Sequence, residues 1–200
     1  MKVHNVIASL VISIVCLTLV AAAQQQPDVT ILFQQLQSPQ TQDQATRMLL
    51  ARGASDPSVR EYLVKKLPNV ITDPDGKSGQ AWSSAVRLAG GLKIVEAAPA
   101  LTKWAGKDEV GDTSIGVFLR LQNDPAGAAL VQIGDPAVPA IVTALESAPP
   151  GQRLKLYLAL GLIDSPQAKN AVADHLNRED DPRCSAALAQ ITRHGLKSAP

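Results

Sequence analysis

The feature that most constrains this 200-residue chain is a corner that recurs along it: an apolar stretch with helical spacing, an Asp-Pro or Ser-Pro pair, then a second apolar stretch. The pairs are Asp56-Pro57, Asp124-Pro125, Asp135-Pro136 and Asp181-Pro182, with Ser165-Pro166 as the serine version. An Asp or Ser before a helix accepts hydrogen bonds from first-turn amides that have no other partner. Pro at the first helical position gives up an amide that would have gone unbonded anyway. Each pair therefore predicts the start of a helix folded tightly against the one before it. Asp73-Pro74 followed by Asp75-Gly76 is different, because the residues from Thr72 to Gly79 are polar and turn-rich; this stretch is predicted to be the longest exposed loop.

Between the corners, apolar residues recur at three- and four-residue intervals rather than alternating, which predicts an all-α fold. Val29, Leu32, Phe33 and Leu36 share one face of a first helix that stops before Ser38-Pro39. Thr41 with Gln44 has the spacing of a capping box for a second helix, Ala45, Met48 and Leu49 form its apolar stripe, and Gly53 is placed to stop it. Hydrophobic residues make up 46% of the chain but aromatics only 3%, so the core has to be assembled from many small aliphatic contacts between closely spaced helices.

The helical stretches are also similar to one another. LLARGASDPSVREYL, LAGGLKIVEAAPAL, ALVQIGDPAVPAIVTAL and LALGLIDSPQAKNAV align on Asp56, Val95, Asp135 and Ser165, at spacings of 39, 40 and 30 residues. A period of this size in an all-helical chain predicts stacked helix pairs. The second unit departs from the rest, with Val95-Glu96 where its neighbours have Asp-Pro or Ser-Pro. ALVQIGDPAVPAIVTAL resembles the HEAT-like repeat of the PBS-lyase type, whose units run helix, Gly-Asp-Pro corner, then a second helix with an early Pro; Pro99 and Pro139 match that second Pro. The resemblance covers roughly Thr41 to Gly195 and implies a right-handed α-solenoid of HEAT-like helix pairs, residues 41–195, followed by a short tail, 196–200. Its motif supports turns and packing rather than chemistry.

The N-terminus reads as a signal peptide over residues 1–23: Lys2, an apolar run from Val6 to Val20, then Ala21-Ala22-Ala23 ahead of Gln24-Gln25-Gln26-Pro27. Cleavage is expected after Ala23, leaving a Gln-rich leader and first helix at 24–40; an uncleaved run would instead tether the domain outside the membrane. Either outcome exports it, to the periplasm or the medium, with no membrane insertion once the signal is removed. Val15 before Cys16 argues against lipidation. After cleavage Cys184 is the sole cysteine, so no internal disulfide is expected. Of the 19 Lys and Arg, Lys2 alone lies in the signal, and the 18 that remain face 18 Asp and Glu, for a net charge of zero. These cations are scattered, which argues against nucleic-acid binding.

No residue qualifies as catalytic, cofactor-binding or metal-binding. His175 has Glu179 one turn on, and His194 stands apart; neither has a second His or Cys nearby to complete a ligand set. Cys184 lies in a first helical turn, where a thiol can be activated, yet Cys184, Ala187, Leu188 and Ile191 form one apolar stripe that marks it as a small core residue. Trp82 and Trp104 follow apolar spacings and are expected in the core. Glu179-Asp180-Asp181 lacks the pattern of a calcium loop and is expected to be a solvated cap for the last helix. Gly90-Gly91, Gly111 and Gly116 lack the context of a phosphate loop and read as close-packing or turn positions. The expected function is an exported, non-catalytic protein-protein interaction or scaffold module, with no cofactor and with an unknown protein or peptide as partner. The alternatives are a bilin lyase or isomerase of the HEAT-like family and a structural component of the cell envelope. The export signal and the absence of a His or Cys cluster weigh against the bilin enzyme.

Overall fold

The structure is a computed structural model that describes residues 28–73, 79–106 and 124–194. The expected signal with its Cys16, the residues 24–27 of the leader, most of the polar loop, Gly111, Gly116, Gly195 and the tail lie outside the described residues. Within them the chain forms ten helices and no strand: α1 (Val29–Gln35), α2 (Gln42–Ser55), α3 (Pro57–Thr72), α4 (Gly79–Gly91), α5 (Ala98–Thr102), α6 (Pro125–Ile133), α7 (Val138–Leu145), α8 (Pro150–Ile163), α9 (Pro166–Leu176) and α10 (Pro182–His194). Two 3-10 turns, Val95–Ala97 and Asp135–Ala137, lead into α5 and α7.

Four of the five corner residues cap as the sequence predicts. Asp56 accepts from the Ser58 amide at 2.9 Å, Asp124 from Gly127 at 2.9 Å, Ser165 from Ala168 at 3.1 Å, and Asp181 from Arg183 and Cys184 at 3.0 and 3.1 Å. Asp135 does not cap. Gly134 makes that turn at φ 82°, ψ −147°, a conformation open to glycine and strained for other residues, and the Asp135 carboxylate is left to accept the Ser165 hydroxyl of the next corner. The Val95 corner, lacking Asp-Pro, turns through Lys93 in the left-handed region at φ 51°, with the Ile94 amide bonded back to Ala89. Asp124 accepts from the Gly106 amide at 2.9 Å as well, so the residues flanking 107–123 meet.

Two expectations near the start are overturned. The Thr41 hydroxyl does not close a capping box; it donates to the Gln35 carbonyl at 2.9 Å and ties the end of α1 to the start of α2. Gly53 does not stop α2, which continues to Ser55. Gly53 is buried, and a Cβ there would lie 2.7 Å from Leu92 Cδ1, so glycine serves close packing rather than termination. Gly90 serves packing as the sequence suggests: a Cβ on it would stand 3.0 Å from the Ala129 Cα, where backbone rather than a flexible side chain is in the way.

The helices pack in an alternating order. Each of α2, α4, α6, α8 and α10 rests on the next of that set, and so does each of α3, α5, α7 and α9, while α1 closes on α2. One apolar cluster runs between the two rows from Leu32 to Ile191, built mostly of Ala, Leu, Val and Ile as the composition requires. A polar stitch joins α2 to α4, where buried Thr46 and Ser84 hydroxyls lie 2.9 Å apart and Gln42 Nε2 donates to Ser84 at 2.9 Å. No single helix among the described residues is long and apolar enough to cross a membrane.

Candidate functional site

A groove of about 870 Å³ lies between α5 and α7, with Gln152 at the start of α8 also in its lining. Both helices begin with a 3-10 turn and carry a proline in their first turn, Pro99 and Pro139. Both also present small residues to the gap: Ala98 and Thr102 from α5, Ala140, Thr143 and Ala144 from α7. Small side chains on facing helices leave a trough where Leu or Ile would have filled it. The Thr102 and Thr143 hydroxyls spend their protons inside their own helices, on the carbonyls of Pro99 and Pro139, each at 3.0 Å. Gln152 donates to the Thr102 carbonyl at 2.6 Å and pins α8 to the end of α5. Lys103 is the one charged group in the lining, and Val95, 40% exposed, forms part of its edge. Such a wall offers apolar contact, few free donors and no acid. It suits binding.

A second cluster joins α8 to the connection between α9 and α10. The Glu179 side chain, 2% exposed, takes two bonds from Arg153, Nε to Oε2 at 3.0 Å and a terminal nitrogen to Oε1 at 2.6 Å. It takes two more from the Tyr157 hydroxyl at 2.6 Å and the Asp181 amide at 3.0 Å. The solvated cap expected for this acidic run is thus wrong for Glu179, although Asp181 does cap α10 and the Asp180 side chain is exposed. Burial pushes the Glu179 carboxyl up, but the bonds from Arg153, Tyr157 and the Asp181 amide outweigh it and bring the pKa down to about 2. Burial first, then the bond to Glu179, raises the Tyr157 phenol above its ordinary range. With four donors on its two oxygens and its charge fixed, Glu179 neither gives nor takes a proton near neutral pH. It is a structural pin. The sequence offered one sign of it, the acid three residues before the α10 start; its partners lie 22 and 26 residues away.

His175 belongs to the same neighbourhood. Its ring packs against Tyr157 at 5.9 Å between centroids, and its Nδ1 lies 2.8 Å from the Ala171 carbonyl. The side chain of His194 lies outside the described residues. No group of three or more His, Cys, Asp or Glu among the described residues is arranged to hold a metal ion. Trp82 and Trp104, expected in the core, are half-buried and meet edge to face at 6.3 Å, and the Trp82 indole nitrogen is buried without a hydrogen-bond partner.

Cys184 is fully buried with Leu188 and Ile191, its thiol 3.3 Å from the Pro150 carbonyl. Burial, with Glu179 and Asp181 nearby, pushes its pKa up to about 12. In a chain beginning at Gln24, where it is the sole cysteine, the native protein at pH 8 is expected to resist iodoacetamide for hours and to alkylate within minutes in guanidinium chloride. Mass spectrometry of the two reactions checks this; rapid alkylation of the folded protein would mean that the α10 stripe is open.

No family model, curated protein or solved structure matches the chain. Its function has to be read from its own surfaces.

Proposed function

We propose that this chain is an exported right-handed α-solenoid of HEAT-like helix pairs that acts by binding a protein or peptide, and that the groove between α5 and α7 is its binding face. The observation that carries the reading is the groove itself: about 870 Å³, walled by small apolar residues with a single charged group, in the row formed by α3, α5, α7 and α9. Helices that pack each on the next but one are what a stack of pairs requires, and such stacks provide extended surfaces with little local chemistry. The buried thiol supplies a means of testing the face. A benzophenone maleimide on Thr143→Cys, exposed in the groove, should form an adduct with one partner in the native compartment. The same label on Arg47→Cys, exposed on α2, should not. Mass spectrometry then identifies the partner. Identical adducts from both positions, or none from Thr143→Cys, would remove the groove from consideration.

Export is tested separately. Protein recovered from the periplasm or medium should begin at or near Gln24 on N-terminal sequencing, and a soluble cytoplasmic form starting at Met1 would refute it.

A further inference from the structure

We draw no further inference here: the strongest candidate, the apolar groove between α5 and α7, already carries the proposed function, and nothing in the structure shows what covers it or gives its occupant a chemistry beyond that of an apolar surface.

Discussion

A chain stopped after Arg178 is expected to melt at least about 10 °C below one ending at Pro200, both beginning at Gln24, and to aggregate on heating. Such a stop removes α10, which packs on both α8 and α9. Leu188 is fully buried and Ile191 7% exposed. Together they contribute roughly 3 to 6 kcal/mol by apolar burial, a large share of a typical total of about 5 to 15 kcal/mol. In a domain of this size each kcal/mol moves Tm by about 2 to 4 °C. The same stop deletes Glu179 and leaves Arg153 and Tyr157 without their acceptor, which adds to the loss. Aggregation is expected because the stop uncovers apolar surface of α8 and α9, on which α10 packs. Differential scanning calorimetry with light scattering measures both effects. A truncated protein that melts within a degree or two of the intact chain would show that α10 is not packed on its neighbours.

Glu179→Gln is expected to cost about 3 kcal/mol at pH 7, because removing one member of a buried ion pair strands the other. Asp180, 3.0 Å from Arg153, softens the loss and keeps it at the lower end of that class. Arg153→Met combined with Glu179→Gln should be less destabilising than the sum of the two single changes by about 1 kcal/mol or more, since neither charge is then left alone. Urea unfolding of the four proteins measures this coupling; strict additivity would mean that the pair contributes nothing as a pair. The pH dependence has a definite sign. The folded carboxyl, near 2, lies below its ordinary value of 4.5, so its contribution is present above the unfolded value and is lost as pH falls from about 4.5 toward 2. The stability gap between the unaltered protein and Glu179→Gln should therefore narrow across that interval. A gap independent of pH would place the cost in packing rather than in charge.

The helices themselves were legible because their signals are local. A cap needs one side chain and amides two or three residues away, as at Asp56, Ser165 and Asp181, and an apolar stripe needs only its own spacing, as at Cys184, Leu188 and Ile191. Local reasoning failed where distant atoms competed for the same group. The Thr41 hydroxyl, able to cap α2, is taken by a carbonyl of α1, and the Asp135 carboxylate by the hydroxyl of the next corner. Gly53 has the composition of a helix stop, yet it lies inside α2, packed against a leucine 39 residues further along the chain.

The candidate groove and the Glu179 pin were out of reach for a related reason. Ala98, Thr102, Ala140 and Ala144 are unremarkable residues in sequence, and they define a trough only because α5 and α7 lie side by side with nothing larger between them. Glu179 read as one of three solvated acids until the fold brought Arg153 and Tyr157 of α8 against it, when burial and four donors made it a fixed charge. The sequence by itself determined that the chain is helical, where most of its helices begin, and which faces they bury, because backbone capping and apolar periodicity act within a few residues. The tertiary structure alone decided which helices neighbour one another, which glycines are needed for contact and which polar atoms are spent, because these depend on distances between residues that only packing brings together.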